Sequence, residues 1–83
     1  MFYTYIIFSE ILNKYYIGST TNIEERLVKH NHNHKGFTGN KSDWKIVYFE
    51  EYMIKTDALK RELQIKKWKS RIMIEKLIKK KLS

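Results

Sequence analysis

The chain has 83 residues, of which 17 are Lys or Arg and 9 are Asp or Glu, so its formal net charge is +8. The absence of cysteine excludes disulfides and thiolate metal sites, and no apolar run approaches the roughly 18 residues of a membrane span. The first residues, MFYTYIIFSE, lack the basic segment of a secretory signal. We therefore expect one domain over residues 1–83, in the cytoplasm and not in a membrane. The charge predicts a polyanionic partner, with nucleic acid favoured over an anionic membrane surface.

The beginning of the chain predicts a β-hairpin. The sequence FYTYIIF at residues 2–8 is rich in β-branched and aromatic residues, which favour a strand. Asn13 and Lys14 indicate a turn, and the sequence KYYIGS that follows indicates a second strand. Gly18 ends this predicted strand, where a glycine supplies an unusual backbone angle or a close backbone approach.

The hairpin is followed by a helix and a loop. Thr21 and Glu24 have the spacing of a capping box, with Thr as the N-cap and Glu in the first turn. We therefore expect the first helix to run from about Asn22 to His32. The next residues, 33–43, contain two of the three glycines and are typical of an exposed loop.

The second half of the chain predicts one strand and two helices. The sequence WKIVYFEEY at residues 44–52 has strand composition. A cap at Thr56 or Asp57 begins a second predicted helix, DALKRELQIKKWK, and Ser70 begins a third, SRIMIEKLIKKK. The order β-β-α-β-α-α predicts an α+β fold, with a small, three-stranded, mostly antiparallel sheet flanked by helices.

Two polar residues lie on the predicted inner face of the first helix. At about 100° per residue, Arg26 and His30 are one turn apart and share the side of Ile23 and Leu27. Polar groups beside so narrow an apolar stripe lie at its boundary or in a cleft. The alternative is an Arg whose stem covers the core while its head reaches water, next to an incidental His.

The second helix also has a polar residue on its predicted inner face. Glu62 follows Ala58 by one turn and precedes Ile65, and both of these apolar residues face the core. A carboxylate in that position needs a partner. The sequence leaves open whether this partner is a Lys or Arg in an ion pair or a bound metal ion.

Two further patterns have an ordinary structural interpretation as well as a functional one. Tyr15 and Tyr16 point to opposite faces of their strand, so we expect one in the interior and one exposed. His30 and His34, four residues apart in HNHNH, have the spacing of a zinc clip, but no third ligand accompanies them.

Residues at set intervals along the chain resemble the motifs of the GIY-YIG nuclease domain. The triplet YIG is present at residues 16–18, and the tyrosine of the first motif precedes it. The family's arginine follows the YIG tyrosine by ten residues, its histidine comes one turn later, and its glutamate lies on the second helix. The matching residues are Tyr5, Tyr16, Arg26, His30 and Glu62. The resemblance covers nearly the whole chain and is greatest to small stand-alone members, similar to the nuclease domain of the UvrC excision-repair subunit.

The resemblance implies an endonuclease with these five residues as its catalytic residues. Glu62 would hold one Mg²⁺ or Mn²⁺ ion, since both are hard cations that prefer oxygen ligands. Arg26 would contact phosphate oxygens through its planar guanidinium. Either Tyr16 or Tyr5 takes the proton of the attacking water, and His30 forms a hydrogen bond or relays the proton.

The resemblance also implies a geometry. We expect the catalytic residues to line one concave surface, with Tyr5 beside the other four. Gly18 would let the backbone turn tightly between the strand that carries Tyr16 and the helix that carries Arg26.

The sequence departs from the family pattern at three places. The first motif reads Tyr3-Thr4-Tyr5 and keeps only its tyrosine, Ser19 stands where some members have a lysine, and no asparagine follows Asn40. These departures keep two alternatives open. One is a catalytically weak nucleic-acid-binding module with the same fold, and the other is a basic, RNA-associated domain.

The expected substrate is DNA, double-stranded or branched, bound through its phosphates without sequence preference. The lysines expected to bind it are Lys35, Lys41, Lys45, Lys79 and Lys80. Phe37 either stacks on an unpaired base or folds back on the sheet. A protein partner would supply specificity, and the resemblance places the activity in DNA repair or recombination.

Overall fold

The computed structural model describes residues 1–32 and 43–82, apart from the side chain of Leu82. Three strands form one sheet: β1 (Phe2–Ser9), β2 (Lys14–Thr20) and β3 (Lys45–Tyr52). Their order is β2-β1-β3, and β1 pairs with both neighbours in antiparallel orientation. Three helices complete the described part: α1 (Ile23–His32), α2 (Lys55–Trp68) and α3 (Arg71–Leu82). The predicted α+β fold and its element order are confirmed.

The sheet has a core on each face. On the face covered by α1, Tyr5, Ile7 and Trp44 are buried and pack against partly buried residues of that helix. On the other face, Ile6 packs with side chains of α2 and α3, including the fully buried Ile65. Each fully buried isoleucine contributes about 1.5–3 kcal/mol through removal of apolar surface from water.

Because both faces are covered, the two adjacent tyrosines of β2 have similar exposure. Tyr15 packs beside the α2–α3 core and Tyr16 beside the α1 core, and both are half-buried. The prediction that one of them is exposed was therefore wrong. It assumed a sheet with one face open to water.

The turn between the first two strands comes slightly earlier than predicted. Asn13 donates its backbone N–H to the carbonyl of Glu10 at 3.2 Å, and Lys14 already belongs to β2. Asn13 has a positive φ of 54°, a conformation that asparagine tolerates better than most residues.

The caps of the first two helices also differ from the sequence prediction. Asn22, not Thr21, caps α1, because its side-chain oxygen accepts the backbone N–H of Glu25 at 3.0 Å. The helix α2 starts at Lys55 without a side-chain cap, so the cap predicted at Thr56 or Asp57 was wrong. The prediction for α3 is confirmed: the Ser70 hydroxyl accepts the N–H of Met73 at 3.3 Å.

Two contacts hold α2 against the sheet and thereby place Glu62. The buried Thr4 hydroxyl donates to the carbonyl of Ala58 at 2.7 Å, one turn before Glu62. Arg61 forms an ion pair with Glu50 on β3 at 3.0 Å, and the hydroxyl of Tyr48 donates to the same carboxylate.

In residues 1–32 and 43–82, no helix has the length and apolar character needed to cross a membrane.

Candidate active site

The ring of Tyr5 lies directly across Gly18. The two residues are partners in the β1–β2 register, so their side-chain positions are on the same face of the sheet. A Cβ atom at Gly18 would lie 2.6 Å from Oη and 2.7 Å from Cζ of Tyr5. Only glycine leaves room for the tyrosine ring at this position.

This packing corrects the predicted role of Gly18. The residue lies inside β2 and is paired across the sheet, so it is not a tight turn at the end of the strand. Of the two reasons considered for a glycine, the close approach is the one observed, and the group that approaches is the side chain of Tyr5.

Three rings meet beside this glycine. The Tyr5 hydroxyl is hydrogen-bonded to Nε2 of His30 at 3.1 Å. The Tyr16 ring lies 4.5 Å from the His30 ring and 6.5 Å from the Tyr5 ring, measured between centroids. Tyr5 is only 2% exposed, whereas Tyr16 and His30 are half-buried. The cluster therefore contains one enclosed phenol and one that water reaches.

The residue after His30 fixes the end of α1. The Asn31 side chain donates to the carbonyl of Trp44 at 3.1 Å and accepts its backbone N–H at 2.9 Å. This pair of hydrogen bonds joins the last turn of α1 to the residue that precedes β3. His30 is thereby held over the sheet.

The surroundings of the cluster determine its protonation. Burial raises the pKa of Tyr5 well above its ordinary value, and the nearby Tyr16 and the charge of Glu62 raise it further, while Arg26 opposes them. Burial also lowers the pKa of His30, and the positive charge of Arg26 adds to that effect. At neutral pH, Tyr5 is therefore a protonated phenol and His30 a neutral imidazole.

Arg26 lines a cleft of about 220 Å³ between the end of β2, α1 and the start of α2. A second cation, Lys55 at the start of α2, also lines the cleft. Three hydroxyl-bearing residues complete the polar lining: Ser19, Thr20 and Thr21. Cations and hydroxyl donors are the groups that bind phosphate oxygens.

Glu62 comes from the other helical layer. Its helix packs on the face of the sheet opposite α1, yet its carboxylate is near enough to act on the Tyr5 hydroxyl. The side chain is 15% exposed, and Oε2 forms an ion pair with Nζ of Lys66 at 2.6 Å. Of the other four predicted catalytic residues, His30 and Tyr16 lie next to Tyr5, and Arg26 and Glu62 shift its pKa. The catalytic roles of all five residues stay predictions.

The donor set around Glu62 fits a magnesium or manganese ion better than zinc. In the described part of the chain, no group of three His, Asp or Glu residues surrounds a common point. A single carboxylate suits a hard cation that keeps most of its water ligands. His30 is hydrogen-bonded to Tyr5, and His34, the other residue of the predicted zinc clip, lies outside the described residues.

The lysines predicted to bind DNA lie away from this cluster or outside the described residues. Lys45, at the start of β3, pairs with Glu10 at 3.1 Å and lies opposite Phe8 in the sheet. Lys79 and Lys80 are exposed on the last turns of α3. Lys35 and Lys41, together with Phe37, fall in the segment that is not described.

Two residues of the site were missed by the sequence analysis. Lys66 follows Glu62 by four residues, so the helical i,i+4 spacing would have predicted their ion pair. Lys55 enters the cleft because α2 starts earlier than its sequence indicates. No local pattern marks that start, since the helix lacks a side-chain cap.

Comparison with known proteins identifies the family to which this chain belongs. The chain matches the GIY-YIG catalytic domain over residues 1–81, so it belongs to the GIY-YIG family. This membership indicates a nuclease-type function. Among solved structures it is similar to the UPF0213 protein BH0048 from Bacillus halodurans, determined by NMR in solution. The TM-score is 0.58 at 26% sequence identity, over 95% of this chain and 84% of that one. A search of curated proteins gives no match.

Substitution of Gly18 by Ala should destabilise the protein by overpacking. The new methyl group would overlap the Tyr5 ring, which typically costs about 1–3 kcal/mol. We expect a lower free energy of unfolding in urea and a lower Tm. Ser19→Ala, at the next position of the strand, is the control and should change stability by less than about 0.5 kcal/mol. A Gly18→Ala protein as stable as wild type would contradict the described packing.

His30 should make stability depend on pH. Since its folded pKa lies below the ordinary value of 6.5, the unfolded chain takes up the proton first as pH falls. The contribution of His30 to the free energy of unfolding is therefore complete above that value and lost below it. Chemical denaturation from about pH 7.5 to about pH 5.5 should show a smaller loss of stability for His30→Gln than for wild type. Equal losses in both proteins would refute the assigned environment.

Proposed function

We propose that the protein is an endonuclease that hydrolyses DNA phosphodiester bonds with one Mg²⁺ or Mn²⁺ ion held at Glu62. The observation that carries the proposal is the convergence of groups on Tyr5: its hydroxyl is hydrogen-bonded to His30, and Tyr16, Arg26 and Glu62 interact with it electrostatically. Acid–base groups, a cation and a carboxylate within one small region match the needs of phosphodiester hydrolysis. Membership of the GIY-YIG family supports the same chemistry.

The different environments of the two tyrosines support Tyr16 as the general base. Tyr5 is enclosed, hydrogen-bonded and, by its raised pKa, held in the protonated form, in which a phenol cannot accept a proton. Tyr16 is more exposed and its ring lies against the neutral His30. We therefore assign proton removal from the attacking water to Tyr16 and the positioning of His30 to Tyr5.

In the proposed reaction, a bond forms between the water oxygen and phosphorus while the bond to the leaving oxygen breaks. The proton of the water passes to Tyr16 as the general base. Arg26 and Lys55 neutralise charge on the phosphoryl oxygens from the walls of their cleft. A cation bound at Glu62 would supply positive charge to the departing oxygen.

Binding to DNA is proposed to rest on phosphate contacts. The formal charge of +8 favours a polyanion, and such binding weakens steeply as salt rises. Lys45, Lys79 and Lys80 offer exposed cations for these contacts. We infer a double-stranded or branched substrate recognised without sequence preference, with a protein partner supplying specificity in repair or recombination.

Replacement of Glu62 by Gln tests the proposal. We expect wild type to cleave plasmid or branched DNA with Mn²⁺ and not with EDTA, and Glu62→Gln to lose cleavage while still binding DNA. Mn²⁺ should raise the Tm of wild type only, because a ligand stabilises the folded state that binds it. Since Lys66 is 45% exposed, loss of its ion pair with Glu62 should cost about 1 kcal/mol or less.

Glu51→Gln provides the matched control, because it removes the same charge from an exposed residue on β3. It should keep both cleavage and stabilisation by Mn²⁺. A wild-type protein that binds DNA but neither cleaves it nor responds to Mn²⁺ would instead identify an inert nucleic-acid-binding module. Equal cleavage by wild type and Glu62→Gln would exclude Glu62 as the metal ligand.

A further inference from the structure

A basic groove of about 270 Å³ lies between the start of β2 and the junction of α2 with α3. Its cationic lining consists of Lys14, Lys66, Lys69 and Arg71. Arg71 holds one wall in place, because its guanidinium donates to the backbone carbonyl of Asn13 at 3.0 Å and to the side chain of Asn13 at 2.7 Å. The groove therefore has a fixed wall and several lysine side chains near it.

Lys66 belongs both to this groove and to the candidate metal site. It lines the basic groove, and its Nζ lies 2.6 Å from Oε2 of Glu62. The two side chains of this ion pair differ in exposure: that of Lys66 is 45% exposed and that of Glu62 is 15% exposed. An exposed lysine on a flexible stem can exchange partners at small cost, whereas the carboxylate of Glu62 is largely enclosed.

The ion pair has a consequence for cation binding. While the ammonium group of Lys66 contacts Oε2, a divalent cation approaching that oxygen meets a positive charge and must displace it. A DNA phosphate in the basic groove offers Lys66 an alternative anionic partner. Movement of Lys66 to the phosphate would leave the full charge of Glu62 available to the cation.

We propose that Lys66 is a positioning residue that exchanges Glu62 for a DNA phosphate, so that DNA and the divalent cation bind cooperatively. The inference rests on the proposed function, because it takes Glu62 as the ligand of the cation and DNA as the substrate. Thermodynamic linkage makes the coupling reciprocal: DNA tightens cation binding by the same factor by which the cation tightens DNA binding. In such a nuclease, the cation site becomes fully occupied only when DNA is bound.

The test measures Mn²⁺ affinity by isothermal titration, with and without a short DNA duplex. All proteins carry Tyr16→Phe to prevent cleavage, and a gel confirms that the duplex stays intact. Three further variants are compared in that background: Lys66→Gln, Lys66→Arg and Lys67→Gln. Lys67 is the matched control, as it is an exposed lysine on the same turn of α2 that does not line the basic groove.

Without DNA, Lys66→Gln should bind Mn²⁺ about two- to fivefold more tightly than the parent protein, because the competing ion pair is gone. Addition of the duplex should tighten Mn²⁺ binding severalfold in the parent and in Lys67→Gln. The same addition should leave Lys66→Gln unchanged, and Lys66→Arg should retain the coupling because it keeps the positive charge.

Identical Mn²⁺ affinities of Lys66→Gln and Lys67→Gln would overturn the exchange model, as would an equal effect of DNA on both. Weaker Mn²⁺ binding by Lys66→Gln would also overturn it, since Lys66 would then support the site. These failures are distinct from failure of the proposed function. Protein with native Tyr16 that neither binds Mn²⁺ nor cleaves DNA would reject the nuclease assignment and this inference together.

Discussion

The packing of the Tyr5 ring across Gly18 determines the arrangement of the groups around it. With no side chain at Gly18, the Tyr5 ring packs against this residue and its hydroxyl is hydrogen-bonded to His30. The same packing encloses the phenol, and burial then raises its pKa and keeps its proton in place. Tyr16, on the same strand as the glycine, stays more open to water. Because residue 18 has no side chain, Tyr5 is enclosed and keeps its proton, whereas Tyr16 is more exposed.

The site also depends on helices from both sides of a three-stranded sheet. From α1 come Arg26 and His30, and from α2 on the opposite face comes the carboxylate of Glu62. Two buried or partly buried polar contacts hold these layers, one between Thr4 and α2 and one between α1 and the residue before β3. Each such hydrogen bond contributes about 0.5–1.5 kcal/mol. In a domain with cores this small, contacts of that size also set the precision of the site.

Sequence patterns predicted what depends on periodicity and missed what depends on register. Strand composition, turn residues and cap residues predicted the element order, and the helical spacing put Arg26 and His30 on one face. They did not show that Tyr5 lies opposite Gly18, because cross-strand partners depend on where the turn falls, and the turn ends at Asn13. The start of α2 at Lys55 was missed because backbone contacts fix it without a capping side chain. The family resemblance predicted the site residues, but the distinction between the two tyrosines required their burial and contacts.

The cleavage rates of Tyr16→Phe and Tyr5→Phe test this distinction most directly. Both should be measured in single turnovers on one DNA substrate with Mn²⁺, after melts confirm that the proteins are folded. If Tyr16 is the base, its loss should lower the rate by about 10²-fold or more, the usual contribution of general base catalysis. Tyr5→Phe should keep the rate within about tenfold, because it loses only the hydrogen bond that positions His30. A folded Tyr16→Phe protein that cleaves at the wild-type rate, together with an inactive Tyr5→Phe protein, would show that Tyr5 and not Tyr16 is the base.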